Sequence, residues 1–594
     1  MQIQEALKEK ILILDGAMGT VIQSQALSSA AYHGTRFAHA AVSLVGNHDI
    51  LNLTAPQVIR AIHQSYIEAG ADIITTNTFS SNRISQKEYA CEDVVREMAH
   101  AGSQLARKEA DACTTRKIWV AGSMGPTSKT LSLAADMGKP TERPVDFDQL
   151  ADAYYEQAEA LWKGGADLLL LETCFDALNA KAALYAIQQL NEKLGVTIPV
   201  MVSATINDRS GRTLTGQTLE AFYISISHYP ILSFGLNCSF GVTELRPFVE
   251  QLSRVVPAYI SLHPNAGLPN EMGEYDELPA FTAHHLKEMA EAGLLNIAGG
   301  CCGTTDKHIR AIADALRDVK PRVIPTTDVN DLLVSGLEPH RVINSHPQST
   351  TLNSQPSSLN PQPSTLNHHF TNVGERTNVA GSRKFARLIA EKKYEEATQI
   401  ARHQIEGGAS IIDINMDDAM LDSRQEMRNF VRYLSNDPAA AGAALMIDSS
   451  DWSTVIEGLK NAQGKCIVNS ISLKEGEKIF IEKARELLRL GAAVVVMAFD
   501  EEGQATTYER KTAIAGRAYR LLTAIGFPPQ DIIFDVNILS VGTGIAEHAS
   551  YGIDFIKAVA WIKENLPYAK TSGGVSNLSF ALQNRFRSSE CGFF

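Results

Sequence analysis

Short apolar and β-branched runs, each bounded by glycine or polar turns, recur along the first 300 residues and predict eight strands. They lie near Ile11 to Leu14, Asp72 to Thr76, Ile118 to Ala121, Asp167 to Leu171, Pro199 to Ala204, Phe234 to Leu236, Tyr259 to Leu262 and Leu294 to Ala298. Stretches with apolar positions at helical spacing separate most of them, as in Ala55 to Ala69, Gln149 to Lys163 and Ala177 to Leu194. Eight strand-and-helix units in succession predict an α/β fold, a closed (β/α)8 barrel of the TIM type. The pattern then starts again, with strands expected at Thr371 to Val373, Ser410 to Ile414, Ala444 to Ile447, Cys466 to Asn469, Ala493 to Ala498, Ile532 to Val536 and Ala569 to Ser572. The expected architecture is therefore two tandem (β/α)8 TIM barrels, the second lacking its last strand in this chain. A barrel short of one strand has an unpaired edge, so the expectation is either a truncated product or closure of the sheet by something else.

The helix-to-strand junctions repeat one signature in both halves: Glu68-Ala69-Gly70-Ala71-Asp72, Lys163-Gly164-Gly165-Ala166-Asp167, Glu406-Gly407-Gly408-Ala409-Ser410 and Leu490-Gly491-Ala492-Ala493. Glycine there ends the helix in a left-handed cap before the next strand enters the sheet. Between the two series the pattern fails. Ser349 to Asn367 is built almost wholly from Ser, Thr, Leu, Asn, Gln and Pro, with near-repeats such as Ser357-Ser358-Leu359-Asn360 and Ser364-Thr365-Leu366-Asn367. That composition buries too little surface to offset its ordering entropy. The chain accordingly divides into a first barrel over 1–326, a low-complexity linker over 327–368, and a second, truncated barrel over 369–594.

Bulk composition narrows the class without naming a substrate. With 594 residues, 44% hydrophobic and 20% charged, the chain has the apolar content of an ordinary globular protein of two or three domains. A net charge of -13 argues against a nucleic-acid partner. No run approaches the ~20 apolar residues of a membrane span, and Met1 to Lys10 lacks the apolar core of a secretion signal, so no membrane is expected and a cytoplasmic location is. Eight cysteines do not make a disulfide framework in a chain of this length.

Three of those cysteines carry the chemistry. Cys301 and Cys302 follow the predicted eighth strand inside Gly299-Gly300-Cys301-Cys302-Gly303, and Cys238 follows the predicted sixth. Catalytic groups of such barrels gather at the carboxyl ends of the strands, so three thiols converge on one mouth. Three thiolates on zinc leave a fourth position open, the catalytic pattern, and a thiol entering that position is deprotonated yet electron-rich. The competing readings are a vicinal disulfide and inert buried thiols. Cys91, Cys113, Cys174, Cys466 and Cys591 have no such clustering and read as bystanders. Asp15 before the glycine turn Gly16-Ala17-Met18-Gly19, Glu172 and Asn237 stand at other strand ends of this mouth. The two carboxylates suit an ammonium group and the turn amides a carboxylate, so together they suit an amino acid bearing a thiol. Each also reads, taken alone, as a helix or turn cap.

The second barrel carries polar residues at nearly every strand end: Glu375 and Asn378 after the first, Asp413 and Asn415 at the second, Asp448 at the third, Asn469 at the fourth, Asp535 and Asn537 at the sixth, and Asn577 after the seventh. No cysteine or histidine cluster accompanies them, so no metal is expected. Alternating carboxylates and carboxamides suit a flat heterocycle with several N–H donors and ring acceptors. Helix capping accounts for some of them equally well.

Asp15-Gly16-Ala17-Met18-Gly19-Thr20, Gly235-Leu236-Asn237-Cys238 and Gly299-Gly300-Cys301-Cys302-Gly303-Thr304 resemble the homocysteine S-methyltransferase family over residues 1 to about 326. The resemblance implies zinc on Cys238, Cys301 and Cys302, and homocysteine held with the help of Asp15 and Glu172. Asn372-Val373-Gly374-Glu375-Arg376-Thr377-Asn378, Asp448-Ser449-Ser450, Asp535-Val536-Asn537 and Gly573-Gly574-Val575-Ser576-Asn577 resemble the pterin-binding domain of the cobalamin-dependent methionine synthases. That likeness implies pterin contacts from Asp448, Asn469, Asp535, Asn577 and Arg585, with Asn577 near N5 of 5-methyltetrahydrofolate. The whole chain resembles the amino-terminal half of those enzymes. Zinc-activated homocysteine would then take its methyl group from methylcobalamin, remethylated from 5-methyltetrahydrofolate on the second barrel. The Asp-x-His-x-x-Gly signature of a cobalamin module is absent from these residues, so cobalamin is expected on a further domain or protein. Two rival expectations are a cobalamin-independent homocysteine methyltransferase using a sulfonium or betaine donor, and a fragment whose pterin barrel is defective.

Overall fold

The computed structural model describes residues 2–136, 138–273, 275–326, 330–343, 370–540, 545–575 and 577. Two compact units divide between residues 327 and 328. Among the described residues no helix is long and apolar enough to cross a membrane.

The first unit is an eight-stranded parallel barrel. Its strands are Leu12–Ile13, Ile73–Thr75, Trp119–Met124, Leu168–Cys174, Val200–Ala204, Ser233–Asn237, Tyr259–His263 and Ile297–Ala298. Each pairs with its sequence neighbour, the first with the eighth, and a parallel bridge from Leu14 to Ile73 brings the ring round. The strands are buried on both faces, which is why they read as continuous apolar runs rather than alternating ones. Helix Pro56–Ala69 ends at Gly70 (φ 112°) and helix Phe147–Gly164 at Gly165 (φ 105°), the left-handed caps that the repeated junctions predict. At the amino ends of the strands, Ile3, Ala6 and Leu7 of the short helix Ile3–Glu9 pack against Leu12, Ile73, Trp119, Leu168, Met201 and Ile297. This segment, charged on its outer side, is the floor of the barrel.

The second unit carries seven parallel strands in sequence order: Val373–Asn378, Ile411–Asn415, Ala444–Asp448, Ile467–Ile471, Ala493–Met497, Ile532–Asp535 and Lys570–Ser572. The ring is open between the seventh and the first among the described residues. Glu375 and Asn378, expected after the first strand, lie within it, because the strand runs on past Val373.

One departure from the sequence reading has a clear physical cause. Part of the segment expected to be linker is structured: Leu332–Ser335 and Pro339–Val342 form an antiparallel hairpin. Leu332 and Val334 are buried against Ile411, Ala444, Met446, Ile467, Val495 and Ile533, so the hairpin closes the floor of the second barrel as the first helix closes that of the first. Its tip is held by backbone bonds from Ser335 to Lys465 (3.2 Å) and from Leu337 to Ala441 (2.7 Å). The composition that marks a linker begins only after the hairpin. Truncating Leu332 to alanine is expected to destabilise the second unit by about 2 to 5 kcal/mol, measurable by denaturant unfolding followed through Trp452 or Trp561; an unchanged midpoint would show that the floor contributes nothing.

Candidate metal and substrate sites

Cys238 follows the sixth strand with its backbone in the left-handed region (φ 62°), as does Ser239 (φ 63°). Residues without glycine's freedom hold that conformation only where the surroundings impose it. Here Phe240 N–H bonds to the Cys238 carbonyl (2.7 Å) and Ser239 Oγ pairs with Thr205 Oγ1 (2.7 Å). The Cys301-Cys302 turn is tied to two neighbouring loops: Gly300 N–H donates to Asp15 O (3.2 Å), Cys301 N–H to Pro264 O (2.7 Å) and Ala266 N–H to Cys302 O (2.9 Å). A Cβ on Gly300 would stand 2.4 Å from Thr304 Oγ1, so the glycine pocket is a packing requirement.

The result is a compact trio. Cys238 Sγ lies 3.9 Å and Cys301 Sγ 4.0 Å from Cys302 Sγ, and all three fall within 4.8 Å of one another. Zinc–sulfur bonds of about 2.3 Å in a tetrahedron put neighbouring sulfurs about 3.8 Å apart. The spacing therefore fits a shared zinc, whereas a disulfide needs about 2.05 Å; the three thiols are free. Among the described residues this is the group of His, Cys, Asp and Glu side chains close enough to share an ion. Of the other cysteines, Cys91, Cys174 and Cys466 are buried and Cys113 partly so, while Cys591 lies outside the described residues.

Each sulfur has a neutral hydrogen-bond donor. Asn237 Nδ2 donates to Cys301 Sγ (3.8 Å), the Asn265 side chain bonds to Cys238, and the Tyr275 hydroxyl bonds to Cys302. Asn237 also donates to Thr173 Oγ1 (2.8 Å) and accepts from Thr173 N–H (2.9 Å) and Ser203 Oγ (2.7 Å). Its hydrogen-bonding capacity is thus spent inside the protein, and it ties strands four, five and six to the Cys301 sulfur rather than facing a substrate. Asn237→Ala is expected to weaken zinc binding about 10- to 100-fold, the range for partners of metal ligands, in competition with a chromophoric chelator.

Asp15 and Glu172 share the mouth. Asp15 is buried and accepts from Thr75 N–H (2.8 Å) and Thr75 Oγ1 (3.1 Å); burial, with Glu172 nearby, pushes its carboxyl well above the usual range. Glu172 accepts from Ser123 Oγ (2.5 Å), and burial with the Cys238 thiolate beside it pushes its carboxyl up to about 7. Two carboxyls and three thiols crowded together favour cationic partners. Gly16 contributes by having no side chain: a Cβ there would stand 2.8 Å from the Tyr66 hydroxyl, which donates to Ala17 O (2.7 Å). Sequence reading missed His263, Asn265 and Tyr275. His263 is buried with no protein partner for Nε2, and burial holds its imidazole down at about 4, hence neutral. His263-Pro264-Asn265 is a polar strand end like those that were singled out, and this was the available signal.

In the second unit the parallel register sets Asn378, Asn415, Asp448 and Asn469 opposite one another on four consecutive strands. Asn415 Nδ2 donates to Asp448 Oδ2 (3.0 Å), and Asn378 Oδ1 accepts from Ala380 and Gly381 N–H (2.9 and 3.0 Å). Asp413, 3% exposed, receives hydrogen bonds from Asn469 and Asn378, but its Oδ1 has no partner; burial, with Asp448 and Glu375 close by, raises its carboxyl well above the usual range. Burial pushes both Asp448 and Asp535 up to about 6. Asn537 Oδ1 is a second buried acceptor without a partner. Buried orphan acceptors cost free energy unless a ligand or water donates to them, so this mouth fits a ligand rich in N–H groups. Asn577 is exposed, its carbonyl receiving Ser540 Oγ (2.9 Å), and Arg585 lies outside the described residues.

Comparison with known proteins finds one family match in each unit. Residues 12–316 match the family described as homocysteine S-methyltransferase, and residues 374–590 that described as pterin binding enzyme. Among solved structures, the oxidized form of the homocysteine methyltransferase MmuM from Escherichia coli is similar at 21% identity, over 52% of this chain and 96% of that one, with a TM-score of 0.40. Its metallated form is similar at 22% identity, over 52% and 98%, with a TM-score of 0.39.

Proposed function

The chain belongs to the homocysteine S-methyltransferase family, and from that premise we propose that it methylates homocysteine with a methyl group that originates on 5-methyltetrahydrofolate. Its two domains in succession are those of the amino-terminal half of cobalamin-dependent methionine synthase. The observation that carries the reading is the convergence of Cys238, Cys301 and Cys302 with the carboxyls of Asp15 and Glu172 at one barrel mouth.

Cys238, Cys301 and Cys302 would hold zinc, which supplies Lewis acidity that lowers the thiol pKa of homocysteine while three anionic ligands keep the sulfur nucleophilic. Asp15 and Glu172 take the substrate ammonium, whose charge relieves their mutual repulsion and draws both carboxyls back toward ionisation. Ser123 and Thr75 fix those carboxylates by hydrogen bonds, so the amino acid is oriented with its sulfur toward the trio. Neutral His263 and the orphan Oδ1 of Asn265 border this space without adding charge.

On the second barrel, Asp413, Asp448 and Asp535 accept N–H groups of the pterin, while Asn469 and Asn537 pair with its ring edge. Methyl departure from N5 requires that nitrogen to leave as an amine rather than an anion, and the hydrogen bond to it is assigned to Asn577. The methyl carrier between the two barrels is cobalamin on a further domain or protein. Steady-state assays of the purified chain test this reading: methionine should form from homocysteine and free methylcobalamin. Formation from a sulfonium or betaine donor instead would assign it to the cobalamin-independent methyltransferases.

A further inference from the structure

Lys511 belongs to helix Tyr508–Ala524, and its side chain is 0% exposed. The ammonium ends beneath the carboxyl end of the sixth strand, where Nζ donates to the carbonyls of Val536 and of Asn537 (2.9 Å). These residues directly follow Asp535. Asn537 sits in the left-handed region (φ 58°), its N–H donates to Asp535 Oδ1 (2.8 Å), its Nδ2 donates to Ala498 O (3.1 Å), and its Oδ1 is an unpartnered acceptor 4% exposed. Both of these hydrogen bonds of the Lys511 ammonium go to backbone carbonyls rather than to a carboxylate. Two carbonyls need only a neutral donor or a water, and a buried cation is far more expensive than either. What the cation adds is a positive field on the neighbouring carboxylate.

We propose that Lys511 is a positioning residue of the pterin site, pinning the turn that aims Asp535 and Asn537 and supplying the charge that keeps Asp535 an acceptor. The inference rests on the pterin reading of this barrel and deepens it. Lys511 draws Asp535 toward ionisation while Glu375 opposes it, and Asp535 and Asp554 are the charged groups that face Lys511 itself. Burial holds the Lys511 ammonium down at about 8, so its charge is present at neutral pH and is lost above it. Pterin binding should therefore have two limbs: it weakens at acid pH as Asp535 and Asp448 are protonated, and again above about pH 8 as Lys511 loses its proton.

Calorimetry of 5-methyltetrahydrofolate binding to the full chain, across that pH range, tests the assignment with two variants. Lys511→Met should bind about tenfold more weakly at pH 7 and move the acid midpoint up by about one unit. Lys511→Arg, whose guanidinium stays charged, should keep the acid midpoint and lose the alkaline limb. An unshifted acid midpoint in a folded Lys511→Met protein, or an alkaline limb that survives in Lys511→Arg, overturns the assignment; the arginine variant decides it if the methionine variant does not fold. Failure of the wild-type chain to bind the folate overturns the pterin reading and this inference together, and is distinct from both.

Discussion

Cys301→Ser is expected to abolish both stoichiometric zinc and homocysteine methylation, with turnover falling by at least about 10²- to 10³-fold. Activation of a thiol by a Lewis-acidic metal is worth several kcal/mol, and each ~1.4 kcal/mol is a factor of ten in rate. Serine keeps the volume but offers a hydroxyl that is not ionised, so the donor set falls to two thiolates. Cys302→Ser and Cys238→Ser should behave alike, because the three sulfurs occupy one cluster 3.9 to 4.8 Å across. Cys174→Ser, at a buried cysteine outside the cluster, should leave metal content unchanged. Elemental analysis beside turnover in the same preparations checks both halves; full zinc in Cys301→Ser would remove that thiol from the site.

Asp448→Asn is expected to weaken 5-methyltetrahydrofolate binding about 10- to 100-fold, since hydrogen bonds to a charged acceptor contribute about 1.5 to 3 kcal/mol. The pH dependence follows from the sign of the shifts. Burial raises Asp448 and Asp535 from an ordinary 3.8 to about 6. The folded state therefore binds protons more tightly than the unfolded chain between those values. These two groups make the unliganded fold less stable as pH rises from about 4 to about 6, and that cost is removed again on acidification. Ligand binding runs the other way: a carboxylate that accepts N–H groups must be ionised, so affinity falls as pH drops below about 6. Asp448→Asn should flatten part of this acid limb as well as lower affinity, and titration calorimetry at stepped pH reads both; an acid limb identical to that of the wild type would exclude Asp448 from the ligand contact.

The fifteen strands were legible because parallel strands buried on both faces are unbroken apolar runs, some of them preceded by a glycine junction, as at Gly70 and Gly165. Boundaries shifted where a strand carried polar residues to its end: Val373–Asn378 continues through Glu375, Arg376 and Thr377, which have the look of a loop. The floor hairpin was missed because four-residue strands beside a low-complexity tract carry little signal until Leu332 and Val334 are seen to bury against strands more than 70 residues away. The cysteine trio was legible from its chemistry and its strand-end placement. Asn265, Tyr275 and Lys511 were not, since their meaning lies in contacts across the fold: an asparagine and a tyrosine on cysteine sulfurs, and a lysine under a turn on another element. Asn237 was legible as a site residue but not in its role, which only its four hydrogen bonds disclose.

The central claim is that three sulfurs at the mouth of the first barrel hold one zinc and present it to an incoming thiol. X-ray absorption at the zinc edge on the purified chain, with and without homocysteine, tests it most directly. Three sulfur scatterers at about 2.3 Å, increasing to four when homocysteine is added, are the predicted result. A metal-free protein, a site with fewer than three sulfurs, or a sulfur count that homocysteine does not change would contradict it.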